Sequence, residues 1–135
     1  MNSRTDGLKA LGGQTSYSYE APNASMLEVF PNPDTGSGYS VSHDIPNFTS
    51  LCPKTGQPDF AHLTVHMVPD RSCVETKSLK LYLFAYRMTG AFMEDTVNRI
   101  LRDLVATCSP KSCSVYGRFE ARGGIATTVS AEYRA

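Results

Sequence analysis

The stretch FTSLCPKTGQPDF, residues 48–60, sets a cysteine between a leucine and a proline and follows it with an aspartate seven residues on. Pro53, Gly56 and Pro58 bend the chain after Cys52, so its thiol stands where a strand ends. Such a thiol reads in two ways. It closes a strand as a small hydrophobe, the commoner fate of a free cysteine. Or it is a nucleophile, with Asp59 moving protons to or from whatever it attacks. The second reading needs a lowered thiol pKa, hence nearby positive charge or a helix N-terminus. Lys54 is the adjacent cation in sequence.

Three other places carry charge in a usable pattern. In VETKSLKLY, residues 74–82, Glu75 precedes Lys77 and Lys80. Two lysines three apart share one face of a helix, where they grip a phosphate or form a solvated rim. Glu94 and Asp95 open a helical stretch. There they serve the helix end by capping and by favourable placement in its dipole, or one carboxylate accepts two hydrogen bonds from a flat, amidine-like edge. Arg122 in ARGGI stands beside two glycines, as an anion contact or as part of a turn. His62 and His66, four apart on a strand, lie about 13 Å from each other, too far to share one metal. They read, with His43, as packed or solvated side chains, and no metal site is expected.

The elements that must position these groups follow from periodicity. Residues 26–38 read as a loop with two prolines and a Gly-Ser-Gly end. Residues 39–45 alternate as a strand, and 60–68 do so more cleanly, with Ala61, Leu63, Val65 and Met67 on one side and His62, Thr64 and His66 on the other. SLKLYLFAYR, residues 78–87, is apolar almost all round and fits a buried strand or a helix. Val97, Ile100, Leu101, Leu104, Val105 and Cys108 form one apolar stripe at helical spacing across residues 94–108. Val115, Gly117, Phe119 and Ala121 alternate, Gly123-Gly124 turns, and residues 125–133 read as a partner strand. This order predicts an α+β domain, an antiparallel four-stranded sheet with helices on one face. The unpaired sheet edges point to a homo-oligomer.

With 135 residues the chain predicts one domain, residues 16–135, behind a polar, loose segment at 1–15. Thirteen basic residues balance thirteen acidic ones, so charge selects no partner and no basic tail speaks for nucleic acid. No apolar run reaches the roughly 20 residues of a membrane span. Residues 1–16 lack the apolar core of a secretory signal, so a cytoplasmic location is the expectation. Cys52, Cys73, Cys108 and Cys113 show no Cys-x-x-Cys spacing and are expected as reduced thiols.

Taken together, FTSLCPKTGQPDF, ETKSLKLYLFAYR, FMEDTVNRIL, RGGI and LEVFPN resemble the QueF family, the single-domain nitrile reductases of queuosine biosynthesis that act on 7-cyano-7-deazaguanine. The resemblance runs from about Ser18 to Gly124, in the family's order and spacing. It implies a tunnelling fold, with SLKLYLFAYR as the first helix, assembled as rings with active sites between subunits. It implies Cys52 as the nucleophile that forms a covalent thioimide with the nitrile, and Asp59 as its proton partner. Glu94 would read the guanine-like edge of the base, with Val74, Glu75, Thr76 and Met93 lining its pocket. Lys77, Lys80 and Arg122 would hold phosphates of NADPH, of which each nitrile consumes two. No metal, nucleic acid or membrane enters. At Met93 the family commonly has histidine; methionine donates no hydrogen bond but packs on a flat base through its sulfur. Thr76 stands where serine or leucine is usual. Two other readings fit the same residues: a QueF-like amidinotransferase acting on the nitrile base in tRNA, and a non-catalytic purine- or pterin-binding protein of the same fold.

Overall fold

The clean alternation of residues 58–68 sets the frame. In a computed structural model, which describes residues 3–135, Asp59, Ala61, Leu63, Val65 and Met67 point into the core while Phe60, His62 and His66 are exposed. Residues 1 and 2 of the segment expected to be loose lie outside the described residues. In chain order the elements are β1 (Val29–Pro31), β2 (Val41–Leu51), β3 (Pro58–Val68), β4 (Ser72–Val74), α1 (Thr76–Phe84), α2 (Met93–Cys108), β5 (Ser112–Arg122) and β6 (Ile125–Arg134). A 3₁₀ turn, Ala85–Met88, extends α1.

The four long strands form one antiparallel sheet in the order β2-β3-β5-β6. Both helices lie against the same face, where the core gathers around Leu63, Val65, Tyr82, Tyr86, Val97, Ile100, Leu104, Val115 and Phe119. Gly117 sits under α2. A Cβ there would meet Phe119 and Val97 at 3.0 Å and Leu63 at 3.1 Å, so the helix rests this close only because the position has no side chain. The opposite face of the sheet carries exposed Ser42, Asp44, His62, His66, Tyr116 and Arg118.

Residues 26–38, read above as a loop, contain β1, which pairs antiparallel with β4 through Val29–Val74, Phe30–Cys73 and Pro31–Ser72. A three-residue strand has no room to show alternation, and its partner lies more than forty residues away. The alternation in β5 also ends early. Ala121 is exposed rather than inward, because β5 carries one extra residue between Phe119 and Arg122 relative to β6. A one-residue bulge exchanges the two faces, and it turns Arg122 toward the core side.

Toward its N-terminus the chain lies along α1. The Lys9 and Ala10 amides donate to Glu28 Oε1 at 2.9 and 3.2 Å, Lys77 Nζ donates to the Gly13 carbonyl at 3.0 Å, and Lys80 Nζ lies 5.4 Å from the centre of the Tyr17 ring.

Candidate active site

β2 and β3 are joined by a hairpin loop that begins at Cys52. The Cys52 amide donates to the Gln57 carbonyl at 2.8 Å, and the Gly56 amide returns to the Cys52 carbonyl at 3.0 Å. Gly56 supplies the left-handed conformation (φ 72°) the turn needs. A second segment is laid against this loop: Leu51 N–H donates to Thr89 O at 3.0 Å and Ala91 N–H to Leu51 O at 3.1 Å. Gly90 permits the approach, since a Cβ there would come within 3.1 Å of Pro53 Cα. These contacts bring the start of α2, hence Met93 and Glu94, to the Cys52 end of the molecule.

The Cys52 thiol is half-buried, and its pKa falls from the ordinary 9.0 to about 7. The hydroxyl of Thr55 contributes most, followed by the backbone amides of Thr55 and Lys54, with Arg122 adding a further donor. Donors converging on a sulfur favour its thiolate. The sequence pointed to the Lys54 ammonium; what acts is that residue's amide, presented by the turn.

Asp59 lies on the inner face of β3, 6% exposed, and accepts a 2.7 Å hydrogen bond from Arg122 Nη1. A buried carboxylate without a partner is costly, and the bulge in β5 delivers that partner. The structure thus joins Cys52, Asp59 and Arg122 in one cluster, where the sequence had set Arg122 with the lysines. Glu94 is exposed in the first turn of α2. Neither Glu94 nor Asp95 caps that helix; the N-cap position is Phe92, without a side-chain cap bond. Met93 is half-buried and packs against the core.

The remaining expected residues gather at the other end of α1. Glu75, 5% exposed, is its N-cap: one oxygen accepts the Lys77 amide at 2.7 Å, the other the Ser78 amide at 2.8 Å. Val74 and Thr76 line a cavity of about 250 Å³ with Phe30, Tyr39 and His43. A larger cavity of about 460 Å³ runs between β2 and α1, with Ile45, Phe48 and Leu83 in its walls and the cations Lys80 and Arg87 at its rim. Arg87 had no signal in the sequence beyond its charge. The helix Thr76–Phe84 and the 3₁₀ turn Ala85–Met88 run end to end between the two groups, which therefore stand about 20 Å apart within the chain.

This architecture and cluster define an α+β domain with an activated thiol beside a buried, arginine-held carboxylate. Comparison with known proteins is specific. A family model described as QueF-like protein matches residues 58–135. The NADPH-dependent 7-cyano-7-deazaguanine reductase of Nitrosococcus oceani is 56% identical over 108 residues, covering 80% of this chain and 84% of that protein. The proteins of the same name from Nitrosomonas europaea and Nitratidesulfovibrio vulgaris are 53% and 47% identical, covering 81% and 96% of this chain and 78% of each relative. The crystal structure of the archaeosine synthase QueF-Like in the apo form superposes with a TM-score of 0.66, over 71% of this chain and 94% of that one, at 21% identity. That last likeness bears on the fold alone. The chain belongs to the QueF family.

Proposed function

We propose that this chain reduces the nitrile of 7-cyano-7-deazaguanine to the aminomethyl group with NADPH, through a thioimide on Cys52. The observation that carries the reading is the thiol lowered to about 7 in the same hairpin as a buried, arginine-paired aspartate. The relatives at 47–56% identity carry the reductase name.

The geometry supports the following chemistry. A nitrile carbon is a modest electrophile. Addition of the Cys52 S–H across the triple bond forms a C–S bond and leaves the thiol's proton on nitrogen, with Asp59 in place to pass it. Bound NADPH supplies hydride equivalents, two per nitrile. Lys80 and Arg87 at the rim of the β2–α1 cavity, with Lys77 on the same helix, fit the phosphates of such a cofactor. Arg122 serves Asp59 and the thiol in this assignment, not the phosphates. The imine that follows the first reduction must stay bound and dry, or water hydrolyses it.

Glu94 accepts the guanine-like edge from the Cys52 end. Val74, Glu75 and Thr76 line the base pocket from the other end, and no single bicyclic base spans the 20 Å between them. We therefore place each site between two copies of the chain, in the ring of tunnelling-fold subunits that the family resemblance implies. The edge strands β2 and β6 offer the pairing surfaces. The substrate is the free base, with no direct contact to nucleic acid, in the cytoplasm. No helix among the described residues is long and apolar enough to cross a membrane.

Intact-mass spectrometry with the nitrile base and no NADPH tests the reading. The expected result is a mass increase equal to the base, absent in Cys52→Ala, together with NADPH oxidation by the wild type alone. A Cys52→Ala protein that still turns over overturns it.

A further inference from the structure

Besides the hydroxyls of Tyr82 and Tyr86, which bond each other, five polar side chains are buried among the described residues: Ser50, Asp59, Glu75, Ser78 and Thr96. Three are satisfied. Asp59 has Arg122, Glu75 has two amides, and Ser78 Oγ accepts the Glu28 amide at 2.9 Å while donating to Glu75 O at 2.8 Å. The hydroxyls of Ser50 and Thr96, each 1% exposed, meet no partner in the protein. Buried hydroxyls are rarely left so, and an orphan marks a place where something else supplies the hydrogen bond.

Both orphans lie at the Cys52 end. Ser50 is two residues before Cys52 and directly opposite Asp59 in the β2–β3 pairing, on the same inner face. Thr96 is in the first turn of α2, the helix whose start is tied to Leu51 through Ala91 and Thr89. On that helix Thr107 bonds back to the Asp103 carbonyl at 2.8 Å, whereas Thr96 makes no such bond and keeps its hydroxyl for another partner.

The proposed reaction has a need at this spot. Addition of Cys52 to the nitrile is balanced internally, because the thiol's own proton ends on nitrogen. The first reduction takes a hydride equivalent from the nicotinamide and one proton; the C–S bond then breaks, the thiol regains a proton from nitrogen, and an imine remains. The second reduction takes another hydride equivalent and one more proton. Two protons per turnover must therefore enter a site that the proposed reaction keeps dry, and Asp59 holds only one at a time.

We infer that Ser50 and Thr96 hold a buried water against Asp59, and that the carboxyl is re-protonated through it. Arg122 engages Asp59 Oδ1, and the water takes the carboxylate's other oxygen. Two hydroxyls and a carboxylate supply the roughly three hydrogen bonds a buried water takes. Ser50 and Thr96 are positioning residues in this scheme, and the inference rests on the thioimide reading above.

A high-resolution crystal structure and two variants test it. Density for a water within hydrogen-bonding distance of Ser50 Oγ, Thr96 Oγ1 and Asp59 is expected. Ser50→Ala and Thr96→Val form the mass adduct at the wild-type rate without NADPH, since that step needs no outside proton. Their NADPH oxidation at saturation slows by roughly ten- to a hundredfold with an enlarged solvent deuterium isotope effect, and Thr96→Ser restores it. Ser50→Ala removes a hydroxyl that bonds no protein group, so the thermal midpoint is expected to fall by no more than a few degrees, and a kinetic loss measured well below that midpoint is then local. Absence of the water, or variants that reduce at the wild-type rate with the wild-type isotope effect, overturns the inference. Failure of the wild type to form the adduct instead removes the reading beneath it.

Discussion

Cys52 and Cys108 stand at opposite ends of the sheet and show how little residue type decides. Cys52, half-buried in a turn, faces the Thr55 hydroxyl, two amides and a guanidinium, and its pKa falls to about 7. Cys108, buried at the end of α2, is pushed up to about 12 by burial, with the neighbouring Cys113 and Cys73 adding to the shift. Burial likewise raises Cys113 to about 11. One end exposes its thiol to donors; the other withholds donors and water together. The carboxylates repeat the contrast. Asp59 keeps its partner on a side chain that a reaction can displace or share. Glu75 gives both oxygens to the backbone of α1, where they hold a helix in place.

The widest difference should appear in alkylation by iodoacetamide, mapped by mass. The sign is set by the direction of the shift: a lowered pKa means the thiolate accumulates above about pH 7. At pH 7 half of Cys52 is ionised, against about one part in a hundred for a thiol at 9.0. The rate at Cys52 should rise through a midpoint near 7 and level off above it, and should exceed that at Cys108 and Cys113 by roughly a thousandfold or more. Equal labelling of all three in the folded protein breaks the comparison.

A smaller effect tests the carboxylate. Arg122→Ala leaves Asp59 buried without its cation and should lower stability by about 1–3 kcal/mol, read as urea denaturation. It also removes a donor from the thiol, so the alkylation midpoint should move above 7. An unchanged midpoint would assign the acidity to the turn alone. The smallest effect belongs to the other end. Glu75→Ala removes the cap of α1 and should cost about 1 kcal/mol, while the alkylation midpoint of Cys52 stays near 7. A shift of that midpoint would show that the two ends are coupled within the folded protein.

Much of the site was legible in the order of residues. The alternation read over residues 60–68 stopped one residue short of Asp59; the strand begins at Pro58, and carrying the same period one step back puts Asp59 on the face of Ala61 and Leu63. The turn residues after Cys52 announce the hairpin, and the stripe from Val97 to Cys108 announces α2. Other parts were not legible. Tyr82 looked like one more apolar residue, yet its hydroxyl donates to Asp103 at 2.6 Å and meets the Tyr86 hydroxyl at 2.8 Å, a buried polar link between the helices. The pairing of β1 with β4 also escaped notice, because short strands are specified by what lies opposite them.

Local pattern, then, determined which residues turn inward and where the chain bends, since those depend on neighbours within a few positions and on side-chain period. Tertiary structure decided which charges meet. Arg122 reaches Asp59 across sixty-three positions because one extra residue in β5 exchanges the faces of the strand, and no rule of spacing foretells where a sheet will take up such a residue.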